Sequence, residues 1–321
     1  MPAIAVSVII PIYNGLADLP DLLDCLRSQI YHCDRVEYLL VDNKSGDGTY
    51  EFLQAASRDF HVENWNIKIL QEQKIQSSYA ARNTGILNAQ GQILAFTDAD
   101  CRPSKTWLSN LMAPFENPKV GLVMGEIQAL SGKTLLELYA DRQNTLSQKH
   151  TVSHPFCPYG QTANLAVRRE ILQQVGLFRP YLTTGGDADL CWRILRQTSW
   201  DYYFSEAAIV AHQHRKTLPD LLNQWKRYGR SNRFLHELHG VDLMKKPLPS
   251  YYCYRILRWL GKELPQALAQ LPTGKANHVD LLSTPIGLLC LNARWQGQQR
   301  SYLPQFADQI AWPEPEKSSS F

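Results

Sequence analysis

The chain has 321 residues, 44% hydrophobic and 20% charged, with 18 glycines and 18 prolines. That is about two domains' length with an ordinary globular composition, which excludes a disordered, collagen-like or disulfide-knotted protein. The formal net charge of +3 conceals an asymmetry: residues 1–100 carry 7 Lys and Arg against 13 Asp and Glu, and residues 190–262 carry 13 against 5.

The opening stretch, residues 1–15, has no basic region ahead of its short apolar run, a poor fit to a signal peptide. No run of about 18 apolar residues follows anywhere; the nearest, 281–293, is interrupted by Pro285 and Gly287. The seven cysteines (Cys25, Cys33, Cys101, Cys157, Cys191, Cys253 and Cys290) are odd in number and scattered, with no CxxC pair. A disulfide framework or a zinc site is therefore not expected, and a reducing, cytoplasmic location is.

Val6 to Ile12 is a β-branched run of strand length ending at Tyr13-Asn14-Gly15. A helix follows, with Asp18 at its start, Pro20 in its first turn, and Leu19, Leu22, Leu23, Leu26 and Ile30 on one face. Tyr38 to Val41 reads as a second strand, residues 42–49 (DNKSGDGT) as a polar turn, and residues 49–57 as a helix. Ile67 to Leu70 is a third strand, Ser78 to Ala89 a third helix, and Ile93 to Thr97 a fourth strand that stops at Asp98-Ala99-Asp100. Alternating strands and helices imply a doubly wound, mainly parallel sheet, and the continuous apolar runs fit strands buried on both faces.

In such sheets ligands bind beyond the carboxyl ends of the strands. Those ends carry Asp42, Glu72, Asp98 and Asp100, so part of the acidic front is concentrated on one rim. Residues i and i+2 of an extended segment point the same way, so Asp98 and Asp100 can face one ion. Mg²⁺ and Mn²⁺ prefer such oxygen ligands, completed by phosphates and water. The plainer reading is a pair of solvated or helix-capping aspartates, against which stands their place at the end of the fourth strand. Neither a GxxxxGK[ST] loop nor a GxGxxG turn follows the first strand.

Five segments in order, residues 11–15 (PIYNG), 41–49 (VDNKSGDGT), 77–86 (SSYAARNTGI), 93–108 (ILAFTDADCRPSKTWL) and 185–194 (GGDADLCWRI), resemble the family 2 glycosyltransferases over about residues 5–235. The resemblance implies an α/β, GT-A-type fold: a doubly wound, mainly parallel sheet flanked by helices. It implies a nucleotide-diphosphate sugar as donor, Mn²⁺ or Mg²⁺ as cofactor, and transfer to an acceptor hydroxyl with inversion. Pro11, Tyr13 and Asn14 would line the base pocket, and Asp42 would accept a hydrogen bond from the base. Asp47 serves equally well as a turn residue. Arg82 would reach the diphosphate or the base as a permanently charged fork. Asp98 and Asp100 would hold the metal, with His212 as third ligand and His214 in reserve. Asp187 would be the general base, with Gly186 standing where the family commonly has a glutamate. Helix capping remains the alternative for Asp187. The stretch 160–178 resembles the family's acceptor-side helix, with Gln161, Asn164 and Arg168 as polar candidates.

Residues 1–240 are expected to form the nucleotide-sugar-binding and catalytic domain, 241–311 a helical C-terminal extension, and 312–321 a disordered tail. The basic segments 214–240 and 251–271 interleave Lys and Arg with Leu, Trp and Tyr. Such helices either lie on an anionic membrane at its inner face, near a lipid-linked acceptor, or form a packed layer with a solvated basic side. A sugar or a small molecule would serve equally as acceptor. No nucleic-acid module supports a nucleic-acid partner. Two other classes use similar features: a nucleotidyltransferase, which would want a Gly-rich basic loop after the first strand, and a non-catalytic nucleotide-sugar or membrane-binding module.

Overall fold

The computed structural model describes residues 4–62 and 65–313; the tail expected to be disordered lies, from residue 314 onward, outside them. Eight strands form one sheet: β1 (Val6–Ile12), β2 (Val36–Asp42), β3 (Ile67–Gln71), β4 (Ile93–Phe96), β5 (Cys101–Pro103), β6 (Val120–Ala129), β7 (Leu165–Arg168) and β8 (Asp201–His212). Their spatial order is β3-β2-β1-β4-β7-β6-β8-β5. The pairs β1–β2, β2–β3 and β1–β4 are parallel, while β4–β7, β6–β7 and β5–β8 are antiparallel. The sheet is thus wound as expected through its first four strands and turns antiparallel beyond β4.

The helices are α1 (Leu19–Arg27), α2 (Thr49–Val62), α3 (Ser78–Asn88), α4 (Trp107–Met112), α5 (Leu135–Arg142), α6 (Gln148–Val152), α7 (Ile171–Val175), α8 (Gly186–Gln197), α9 (Leu218–His239), α10 (Pro249–Arg258), α11 (Leu264–Gln270) and α12 (His278–Gln299). In α1 the expected face, Leu19, Leu22, Leu23 and Leu26, is buried, and Pro20 sits in the first turn where its missing N–H costs nothing. Ile30 falls beyond that helix and is exposed. Helix α3 starts at Ser77, whose hydroxyl accepts the Tyr79 N–H and donates to the Leu182 carbonyl.

Two compact units divide the chain. Of the described residues, one takes those up to 128, 147–212 and those from 304 onward; the other takes 129–146 and 213–303. The sequence reading puts a boundary at 240. In the structure α9 belongs instead with α12, because the two helices meet so closely that a Cβ on Gly229 would lie 1.8 Å from the Arg294 carbonyl oxygen. That contact leaves room only for glycine. The second unit has its own apolar cluster of Tyr139, Leu221, Val279, Ile286 and Cys290, drawn from α5, α9 and α12.

The stretch 160–178 is not the expected helix. It is a 3₁₀ turn (Thr162–Asn164), strand β7 and the short α7. Leu165, Ala166 and Val167 are buried against β4 and β6, and a three-residue apolar run with partners on both sides is used as a strand.

Candidate functional site

Strand register brings the sequence candidates to one edge. Ile12 pairs with Asp42 and Asp42 with Gln71, so the loops after β1, β2 and β3 begin at one level. Asn14, in the left-handed region at φ 50°, is locked to the second loop: its N–H donates to Ser45 Oγ (2.9 Å) and its Oδ1 accepts from the Gly46 N–H (2.9 Å). The Asp47 carboxylate accepts from the Leu16 N–H, the Thr49 N–H and the Thr49 hydroxyl at 3.1, 3.1 and 2.6 Å. Those donors hold it below the usual carboxylate range, the Thr49 hydroxyl most of all. Asp47 is a turn-building residue. Asp42 is buried and accepts the Ser45 N–H at 3.3 Å. Pro11 is half-buried within β1, and Tyr13 is 58% exposed above it.

Beyond β4 the acids lie among charged side chains. Arg82, buried on α3, pairs with Asp98 at 2.5 Å, and its guanidinium lies 5.6 Å from the centre of the Tyr79 ring. The chain turns once, Cys101 N–H to Asp98 carbonyl, and enters β5, where Cys101 pairs with His212 of β8. His212 Nε2 lies 3.2 Å from Asp100 Oδ2. The ligand atoms of Asp100, Cys101 and His212 all lie within 4.8 Å of one another, and among the described residues this is the one such grouping of three. Burial raises the Asp98 carboxyl above its usual range; Arg82 and His212 oppose that, and the Asp100 and Asp187 charges add to it.

Helix α8 separates its two acids. Asp189 is fully buried, held by Arg179 Nε at 3.0 Å and by Arg193, whose guanidinium also donates to the carbonyls of Val175, Gly176 and Leu177. Asp187, two residues earlier and half-buried, faces the other way: its Oδ2 accepts the Thr162 N–H at 3.2 Å and it is hydrogen-bonded to the Tyr79 hydroxyl. Burial and the Asp187 charge push the Tyr79 phenol well above its usual value, so it stays a donor. Gly186 is explained here. A Cβ at that position would lie 2.7 Å from Tyr79 Cζ, so the ring occupies the space a side chain would need.

The sequence candidates therefore divide. Arg82, Asp98, Asp100 and His212 come together, with Asp187 near enough to act on the charges of Arg82 and Asp98. Pro11, Tyr13, Asn14 and Asp42 form a separate patch at the β1–β2 end. His214 is buried within the second unit and, among the described residues, belongs to no grouping of metal-ligand type. Asn164 and Arg168 are structural: Asn164 bonds the carbonyls of Glu126 and Ala208 and the Trp107 indole, and Arg168 the carbonyls of Val120, Phe115 and Asn117. Gln161 is half-buried, its N–H given to Gln148 Oε1. Tyr79 and Cys101 were not singled out in the sequence. An aromatic one turn before Arg82 and a cysteine directly after Asp100 were the available signals.

Oxygen and nitrogen donors at this spacing, with phosphate oxygens to complete the shell, fit a divalent cation, and the imidazole suits Mn²⁺ better than Mg²⁺.

Comparison with known proteins agrees with the fold. The profile described as "Glycosyl transferase family 2" matches residues 7–176, and "Glycosyl transferase family group 2" matches residues 93–285. Glycosyltransferase AglE of Haloferax volcanii is 32% identical over 277 residues, 82% of this chain and 88% of that protein. The pre-mycofactocin glycosyltransferase of Mycobacterium tuberculosis is 29% identical over 231 residues, 70% of this chain but only 46% of its own length. Among solved structures, the mannosyltransferase PcManGT of Pyrobaculum calidifontis, in complex with GDP-Man and Mn²⁺, covers 92% of this chain and 87% of its own, with a TM-score of 0.64 at 21% identity. At that identity the likeness establishes the GT-A fold alone.

Proposed function

The chain belongs to glycosyltransferase family 2 and is a glycosyltransferase, and from that premise we propose an inverting, cation-dependent transfer from a nucleotide-diphosphate sugar to an acceptor hydroxyl. One observation carries the reading: Asp98, Asp100, Asp187, Arg82 and His212 converge beyond β4 with more carboxylate charge than Arg82 offsets. A bound cation relieves that excess.

Asp100 and His212 would hold the cation, with Asp98 beside them as the second aspartate. Bound there, the cation would neutralise the diphosphate as it leaves. Arg82 is kept aimed by Asp98 and by the Tyr79 ring, and adds a permanent positive charge on the same side. Pro11, Tyr13, Asn14 and Asp42 take the nucleotide base. Exposed Tyr13 offers a stacking face and buried Asp42 an acceptor. Asp187 takes the proton of the acceptor hydroxyl as its oxygen attacks the anomeric carbon and the bond to the phosphate oxygen breaks on the opposite face, which inverts that carbon. The Thr162 N–H and the Tyr79 hydroxyl orient Asp187 for that step.

The reaction belongs in the cytoplasm, where nucleotide sugars are made, and the acceptor is a sugar, a small molecule or a lipid-linked species. A thermal-shift screen of nucleotide sugars with and without Mn²⁺, followed by NMR of the product anomer, tests the reading. The expected result is stabilisation by one nucleotide class that depends on the cation, and an inverted product. Cation-independent turnover or retention overturns it.

A further inference from the structure

We propose that the outward face of residues 245–268 docks on an anionic lipid bilayer, as the partner surface that would bring the transferase to a lipid-linked acceptor. This segment is two-faced in an unusual sense. Arg255, Trp259, Glu263 and Ala267, each four residues after the last, turn toward α12. There Arg255 donates to Thr284 Oγ1 (3.2 Å), the Trp259 indole to the Leu281 carbonyl (2.8 Å), and the Thr284 hydroxyl to Glu263 (2.5 Å). A four-residue spacing drifts off one face of an α-helix. The π-turn at Trp259–Glu263 corrects the drift and keeps the stripe on α12.

The apolar side chains are left pointing out. Seven of the nineteen exposed large hydrophobics among the described residues lie between 248 and 268, with Leu248 65%, Tyr254 57%, Leu257 69%, Leu260 50% and Leu268 52% exposed. That is a patch and not the scattered exposure of an ordinary surface. It contains no buried residue except Ala267.

Charge decides what covers it. Lys245, Arg258 and Lys262 are exposed around the patch. The only acid from 243 to 274 is Glu263, which is turned toward Thr284 and paired with Arg258 at 3.0 Å. A second copy related by a two-fold axis would set these cations against one another, whereas anionic headgroups attract them while the leucines enter the acyl boundary. No helix of the described residues is long and apolar enough to cross a membrane, so the contact is a surface one.

The inference rests on the transferase reading only for its purpose, and the two fail separately. The full chain is floated with phosphatidylcholine vesicles, with and without phosphatidylglycerol, at low and high salt. The expected result is binding to the anionic vesicles that weakens with salt. It should fall by at least tenfold in Leu257→Glu/Leu260→Glu, and by roughly fivefold per cation in Lys245→Glu/Lys262→Glu. Donor turnover in solution should be unchanged in both variants. The charge-reversal pair, wholly on the surface, keeps the test valid if the leucine variant misfolds. Wild-type protein that stays off anionic vesicles at low salt overturns the inference. So do variants that float as well as wild type, or a dimer that Leu257→Glu splits. Vesicle binding without cation-dependent donor turnover would instead overturn the transferase reading and leave this surface standing.

Discussion

Two carboxylate-rich ends of one sheet are built on opposite plans. At the β1–β2 end the acids are answered by their own loops: Asp47 takes two N–H groups and the Thr49 hydroxyl, Asp42 takes the Ser45 N–H, and the two loops are stitched by Asn14. Beyond β4 the acids face one another, and Arg82 and His212 are the basic groups beside them. The donors around Asp47 lower its pKa, whereas burial raises that of Asp98 and the Asp100 and Asp187 charges add to the rise. Asp47, whose charge is already satisfied, is scaffold, and the acids crowded beyond β4 are the ones we propose for the cation and the proton. Helix α8 repeats the contrast two residues apart, with Asp189 closed in by two arginines and Asp187 open.

That pair gives the largest expected effects. Asp187→Asn should lower turnover by roughly 10²–10⁴-fold with nucleotide affinity intact, measured as initial rate against binding by calorimetry. Asp189→Asn should do the reverse: it takes the counter-charge from the buried Arg193 and the half-buried Arg179 and costs about 3–5 kcal/mol of stability in a denaturant titration. Similar activity loss in both folded variants would break the distinction.

Asp100→Ala should remove the cation-dependent part of nucleotide affinity, at least about tenfold or 1.4 kcal/mol, read by calorimetry with and without Mn²⁺. Tyr79→Phe is subtler. It keeps the ring that packs on Gly186 and deletes one hydrogen bond to Asp187, so kcat should fall by roughly tenfold at constant KM. An unchanged kcat would make Tyr79 packing alone.

Much of this was legible in the chain. β1, β2 and β4 were visible as mainly apolar runs, β3 less so because Lys68 interrupts it, and Asp42 and Asp98 because they stand at the ends of such runs. Residues 160–178 misled because Leu165–Val167 is too short to show its period, and only the neighbours β4 and β6 make it a strand. The boundary at 240 follows the extent of the resemblance, while α9 is joined to α12 by its contact with Arg294, far along the chain. Tyr79 could not be read as a partner of Asp187, because 108 positions separate them and only the fold closes the gap.

The smallest expected effect concerns pH, and it tests the two plans directly. Glu37 is buried in the scaffold, and although burial alone would raise its pKa, the Lys68 ammonium, the Ser7 hydroxyl and the Gln90 N–H together hold it below the usual carboxylate value. A lowered folded pKa means the unfolded chain binds the proton first as pH drops. Glu37 therefore stabilises the fold above the usual carboxylate range, and that contribution is lost as pH falls through its folded value. Asp98 has the opposite sign in the metal-free protein. Its raised pKa contributes stability below the usual range, and that is lost as pH rises through the folded value. Unfolding midpoints across pH should therefore respond differently: Glu37→Gln should flatten the acid-side loss, and Asp98→Asn should flatten the decline on the other side. If both variants flatten the same limb, the β4 end is scaffold like the rest.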